Sequence, residues 1–289
     1  MRYAASDIGT NSSRLLIADV IDGHIEVKVK QVVTTRIGEG LHEAGWIRPK
    51  AMERTIECLN HFADLMARWK VDKYKLVATA AVREAANGTD FVTLAEDKTG
   101  LKIGILPGDE EGRLSYHGAY RGLGLSVPPI VVDVGGGSTE FARLDERLEI
   151  ASFPVGAVRA TEADWSENEI KERLAGAERF SVPGAPVVFV GGTATTMVAV
   201  KRELRFYDPQ KVQGETLARE EMAALHRRLG ALGLAERKKV PGLQPERADI
   251  ILQGILIVMS ALDILQADRA IVSDSDLLDG LIWEMAENR

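Results

Sequence analysis

Two short runs hold the residues most able to do chemistry. DIGTNS at residues 7–12 and DVGGGS at 133–138 both read D-[IV]-G-x-x-S. In each, an aspartate precedes a turn of glycine and small polar residues. Glycine lets a backbone come close to a ligand, and successive N–H groups around such a turn form a hollow suited to phosphate oxygens. Asp133 and Glu140 flank the second turn, where carboxylate oxygens can hold a divalent cation beside the anion; Asp7 has the corresponding place in the first. A third turn, VGGTATT at 190–196, follows an apolar strand and opens a helix whose N-terminal amides favour an anion. Together, three anion-facing turns argue for a nucleotide or polyphosphate ligand. A fourth, SDSDLLDG at 273–280, is weaker.

Other polar residues read more simply. Glu110 and Glu111 begin a helical stretch, where acids suit the dipole, so a solvated helix start remains open beside any chemical role. Lys28 and Lys30 alternate with valines, as on a solvated strand face. His42, His61, His117 and His226 lack metal-ligand spacing and join no triad. Cys58, the single cysteine, sits in a helical stretch and reads as packing.

The elements that must position these turns follow from hydrophobic period. Strand, tight turn and strand are expected over residues 3–20, and a third strand over 25–35. Residues 49–69 carry Met52, Ile56, Leu59, Ala63 and Met66 on one helical face, with Pro49 near the start. Short strands at 75–79 and 102–106 alternate with helices at 80–86 and 91–98, and 110–121 is helical. A Gly- and Pro-containing passage at 122–129 is the best domain boundary, and a hinge there would let two lobes close. The pattern then restarts, with strands at 130–132, 140–144 and 149–154. Next come a helix at 166–179 opened by the capping box SENE, a strand at 187–190 and helices at 194–201, 218–232 and 247–265. A strand at 269–272 and a helix from Leu277 finish the chain. Because the two D-[IV]-G-x-x-S turns sit at equivalent points of two similar strand–turn–strand runs, the chain reads as duplicated α/β domains, 1–124 and 125–289, facing one cleft.

Composition narrows the function further. With 36 Lys and Arg against 43 Asp and Glu, the net charge is −7, which argues against a nucleic-acid polymer as partner. Any polyanion must therefore meet a local basic pocket. The apolar run 250–262 is well short of the ~20 residues needed to span a bilayer, so no membrane partner is expected. MRYAASDIG turns acidic too soon for a signal peptide, and a lone cysteine suits a reducing compartment, so the expected location is cytoplasmic.

DIGTNSSR (7–14), RIGEGL (36–41), ATAAVREAANGTDF (78–91), GDEEGRLSYHGA (108–119), DVGGGSTE (133–140), VGGTATT (190–196) and PGLQPERADIILQG (241–254) occur in that order. Over nearly its whole length the chain resembles the exopolyphosphatase/guanosine pentaphosphate phosphatase family, in the larger group that includes actin, sugar kinases and the heat-shock chaperone ATPases. The resemblance implies two RNase H-like domains and Mg²⁺-dependent removal of the terminal phosphate from inorganic polyphosphate. The alternative it carries is conversion of guanosine pentaphosphate to tetraphosphate. It assigns Glu111 to the attacking water, Arg14 to the catalytic cleft, and Asp133, Glu140 and Asp7 to Mg²⁺. Asn11, Ser12, Arg83, Gly135, Gly136, Gly137, Ser138, Gly191, Gly192 and Thr193 go to phosphate. A monovalent cation such as K⁺ and a homodimer are further expectations. The chain resembles the short form, without the helical HD-type domain that long members add. One departure stands out: where the family shows a Gly-Leu-Arg-Glu-Gly-like run, this chain has Ser275-Asp276-Leu277-Leu278-Asp279-Gly280, which puts a phosphate contact there in doubt. A kinase of the same fold and a non-catalytic alarmone sensor are the competing readings. The pairing of EEGR with GGGSTE argues for water over a hydroxyl acceptor.

Overall fold

The alternating and β-branched runs form two sheets in the computed structural model, which describes residues 1–287. The first sheet holds β1 (Arg2–Ile8), β2 (Ser13–Ile21), β3 (His24–Val33), β4 (Lys73–Ala78) and β5 (Ile103–Ile105), in the order β3-β2-β1-β4-β5. The second holds β6 (Ile130–Val134), β7 (Thr139–Leu144), β8 (Leu148–Phe153), β9 (Val187–Val190), β10 (Thr216–Ala218) and β11 (Arg269–Val272), in the order β10-β11-β9-β6-β7-β8. In both, an antiparallel meander of three strands is followed by a parallel strand laid against the first of them. The duplication expected from the paired turns is thus present, with β10 an addition to the second sheet. The fold is the two-lobed α/β architecture of duplicated actin-like, RNase H-like domains.

Each sheet buries its own core. Leu15, Ile17, Phe62 and Phe91 pack on the first, and Val132, Phe141, Met197 and Ile255 on the second. The central strands are apolar on both faces, as strands covered by helices on two sides must be. Strands up to residue 105 join the first sheet and those from 130 onward the second. The helices do not respect that division. Helix Gly108–Leu123 sets Tyr116 and Ala119 on Val131 and Val188 of the second sheet. Helix Leu277–Glu287 sets Leu278 and Ile282 on Tyr3, Ala5 and Val77 of the first. The two helices lie side by side between the sheets, close enough that a Cβ on Gly118 would come within 2.0 Å of Asp276 O, and one on Gly280 within 2.2 Å of Leu114 O. The chain therefore already rests on the second sheet before the 122–129 passage.

Most expected elements are present, and the differences have local causes. The helix expected over 166–179 begins with its capping box at Ser166 but runs only Glu167–Arg173; Gly176 turns the chain at φ 95 before a 3₁₀ turn at Ala177–Phe180. The helix expected from residue 247 begins as a 3₁₀ turn at Pro245–Arg247 and becomes α-helical only over Ile251–Ile264. β10 and several four-residue helices are too short to show a period. No helix among the described residues is long and apolar enough to cross a membrane.

Candidate active site

The two repeated turns are closed in the same way. Gly9 N donates to Ser12 O at 3.1 Å, and Gly135 N donates to Ser138 O at 3.0 Å. The strand registers then fix what stands beside each turn. Asp7 lies opposite Arg14 across β1 and β2, and Asp133 lies opposite Glu140 across β6 and β7. The turns meet face to face, since a Cβ on Gly137 would reach within 2.7 Å of Thr10 Oγ1 and one on Gly136 within 3.0 Å of Thr10 Cβ. Between the lobes they line a cavity of about 520 Å³. The third turn joins them at the end of β9. Gly191 has φ 91, and a Cβ there would lie 2.9 Å from Asp133 Oδ1, so glycine is required both by conformation and by the approach of the carboxylate.

Glu111 enters this cavity from the first turn of helix Gly108–Leu123, with 8% of its surface exposed. Arg83 Nη1 donates to Glu111 Oε2 at 3.0 Å and to Leu106 O at 2.7 Å, which fixes the carboxylate's direction. Burial raises the Glu111 pKa well above the usual range, and the charges of Glu140 and Asp133 add to this; Arg83 opposes them. Asp133 Oδ2 accepts from Ser115 Oγ at 2.6 Å, yet burial and the charge of Asp276 push its pKa up to about 6. Glu140 Oε1 accepts from Ser152 Oγ at 2.6 Å, and burial followed by the Asp133 charge moves Glu140 upward as well. Asp7 is also raised, because burial outweighs its contact with Arg14.

Three cations face these acids. Arg14 donates from Nε (3.0 Å) and Nη2 (2.9 Å) to Asp7 Oδ2, and from Nη1 to Asp276 Oδ2. Lys30 pairs with Asp274. Arg247 has no carboxylate partner among the described residues. Its Nε donates to Gln244 Oε1 at 2.8 Å, and the guanidinium lies over Gly192 at the start of helix Gly192–Lys201. Burial, with the Arg14 charge second, lowers its pKa to about 10. A guanidinium without a counter-ion, set at a helix N-terminus, is suited to an incoming phosphate.

Of the residues named from the sequence, Asp7, Asn11, Ser12, Arg14, Glu111, Asp133, Gly135, Gly136, Gly137, Ser138, Gly191, Gly192 and Thr193 share one cavity wall. Arg83 and Glu140 are not on that wall. Arg83 holds Glu111 through Nη1, so that nitrogen acts on the carboxylate. Glu140 is 1% exposed and stands beside Asp133. Lys30, read as part of a solvated face, instead lines the cavity, because β3 borders the cleft and Asp274 draws its ammonium in. Arg247 and Asp276 were not assigned a part by the sequence. Arg247 lies within the quoted 241–254 run, but nothing in that run distinguishes it from a surface arginine.

Mg²⁺ can be tested against the donors present. Among the described residues, no group of three or more His, Cys, Asp or Glu is placed to hold a metal ion. Asp7 Oδ1 and Glu140 Oε2, however, are buried carboxylate oxygens without a hydrogen-bond partner. Mg²⁺ needs only one or two carboxylates when water and phosphate complete its octahedron. The donors fit such an ion, held by Asp7 and Asp133 with Glu140 behind, and do not form an all-protein cage.

The chain matches the family described as Ppx/GppA phosphatase over residues 16–289. It is 31% identical to Exopolyphosphatase 2 of Mycobacterium tuberculosis, over 99% of this chain and 98% of that protein. It is 29% identical to a bifunctional 3-dehydroquinate synthase/phosphatase of Fusobacterium nucleatum, over 99% of this chain but only 47% of that longer protein, about half its length. Among solved structures, a Ppx/GppA family member from Aquifex aeolicus superposes with a TM-score of 0.82 at 31% identity, covering 100% of this chain and 99% of the other.

Proposed function

The chain belongs to the Ppx/GppA phosphatase family of phosphoanhydride hydrolases, and from that premise we propose that it removes the terminal phosphate of inorganic polyphosphate. The observation that carries this reading is Glu111, buried on the cleft wall and aimed by Arg83 at the facing glycine turns. Phosphoanhydride hydrolysis needs a held phosphoryl group, an in-line water and neutralisation of the equatorial oxygens. Backbone N–H groups at 10–12 and 136–138, the Ser12 and Ser138 hydroxyls and the amides opening at Gly192 hold the phosphates. Arg247 and Arg14 supply positive charge. Glu111 accepts the proton of the attacking water, and its raised pKa suits a base working near neutrality. Mg²⁺, when bound by Asp7 and Asp133, would neutralise phosphate oxygens and fix the phosphoryl group. The requirement for Mg²⁺, a further K⁺, a homodimer and a cytoplasmic location are parts of the same proposal.

One observation favours the guanosine pentaphosphate alternative. Tyr207 lines the cavity, and Phe206 beside it is 89% exposed. An aromatic wall offers a base a stacking surface that an inorganic chain does not use.

The test is Glu111→Gln, assayed for phosphate release from polyphosphate and from guanosine pentaphosphate. Turnover should fall by about 10²–10⁴-fold with ligand binding retained. A variant as fast as the wild type on both substrates would falsify the assignment of the base. Wild-type release from neither substrate would sink both readings.

A further inference from the structure

Arg14 follows the first turn in the cleft, and three of its five N–H donors are already engaged with carboxylates. Asp7 Oδ2 takes two of its N–H donors from within the first sheet. Asp276, 262 residues further along the chain, takes another from the opposite side. Asp276 differs from Asp7 in how firmly it is set. Its Oδ1 accepts from Leu278 N at 3.0 Å, and its own N–H donates to Asp279 Oδ2 at 3.2 Å. The carboxylate thus caps helix Leu277–Glu287 while its second oxygen faces Arg14. Anchored in this way, and 7% exposed, it cannot swing out of the cleft without uncapping the helix.

We propose that Asp276 is a specificity-determining competitor for Arg14, its carboxylate oxygen occupying the place that a phosphate oxygen of the ligand takes on the guanidinium. Resting on the phosphate-binding reading of the cleft above, this explains how an arginine on the wall of an anion site can be held by two acids. Carboxylate and phosphate oxygens are alternative partners for the same forked donor. The apparent affinity for a phosphate chain is then reduced by the fraction of molecules in which Arg14 is tied to Asp276. An inorganic polyanion bears the whole of that penalty, whereas a ligand with a second anchor elsewhere in the cleft bears it in part. Asp276 therefore sets how tightly an inorganic chain is held relative to a ligand with a second anchor.

The test is calorimetric titration of inorganic tripolyphosphate into the full chain in buffer with EDTA, so that the heat reads binding without Mg²⁺-dependent hydrolysis. Asp276→Asn keeps the helix cap, since asparagine caps as well as aspartate, and removes the competing charge. It should bind tripolyphosphate about tenfold more tightly than the wild type, and Asp276→Glu should bind as the wild type does. The gain must vanish in an Arg14→Gln background, where there is no guanidinium to release. A gain of equal size in that background would mean simple loss of negative charge and would overturn the competition, as would Asp276→Asn binding no more tightly than the wild type. Thermal unfolding of each variant shows whether the cap survived. Tight binding without hydrolysis by the wild type once Mg²⁺ is supplied would sink the hydrolase reading and leave the competition standing.

Discussion

Replacing Arg83 with glutamine separates orientation of the base from capture of the phosphate. Arg83 does not line the cavity, and it holds Glu111 through one N–H···O bond of 3.0 Å. With that contact the two charge centres stand about 4 Å apart, where the attraction is about 4 kcal/mol at an effective dielectric of 20. The Arg83 side chain is 22% exposed, so water screens part of this, and about half, ~2 kcal/mol, is a fair expectation. The sign follows from the charges. Arg83 favours ionised Glu111, so its loss raises a pKa that burial, Glu140 and Asp133 already hold high. Less of the base is then ionised at neutral pH. The acid limb of the kcat/KM profile should move upward, with KM little changed at high pH. Glutamine can still donate to Leu106 O, and Arg83→Lys, which keeps the charge, should show a smaller shift. The measurement is initial-rate phosphate release between pH 5 and pH 9. An unmoved acid limb, or a loss of affinity with an unchanged profile, would refute the orienting role and return Arg83 to the phosphate.

Two further substitutions test the architecture of the cleft. Gly191→Ala places a Cβ 2.9 Å from both Asp133 Oδ1 and Val134 O at φ 91; the expected cost is about 1–3 kcal/mol in urea unfolding, together with loss of turnover. Full activity in a variant of unchanged stability would show that the approach of Asp133 to this turn is not needed. Burial, opposed by Lys30 and aided by the charge of Asp276, pushes Asp279 up to about 7. A carboxyl raised in the folded state favours folding below its unfolded value, and that advantage is lost as pH rises through about 7. Asp279→Asn should therefore flatten the decline in stability between pH 5 and pH 8, read by denaturant midpoint at each pH. A wild type equally stable at both ends would remove the basis for this expectation.

The three turns were legible in the chain because each is local. Glycine and hydroxyl residues close together mark each turn whatever surrounds it, and repetition of the first turn in the second announced the duplicated sheets. Glu111 was legible only with the resemblance, since nothing local distinguishes it from Glu110, which pairs with Arg113 on the outside of the same helix. One helical step decides between them, and only packing on the second sheet shows which acid turns inward. The division into lobes was legible for strands, whose pairing follows neighbours in the chain. It was not legible for helices Gly108–Leu123 and Leu277–Glu287, which cross between the sheets through backbone contacts at Gly118 and Gly280.

What the sequence by itself determined is the inventory: two sheets, three glycine turns, a net negative charge, and the acids and arginines beside the turns. Tertiary structure alone decided how those charges are shared. Arg83 is given to Glu111, Arg14 is divided between Asp7 and Asp276, Lys30 is drawn to Asp274, and Arg247 has no carboxylate partner among the described residues. The physical reason is that an ion pair depends on distance in space, and partners as far apart in the chain as Arg14 and Asp276 have no pattern between them to read. The fold brings them within reach of one another, and burial makes the pairing matter.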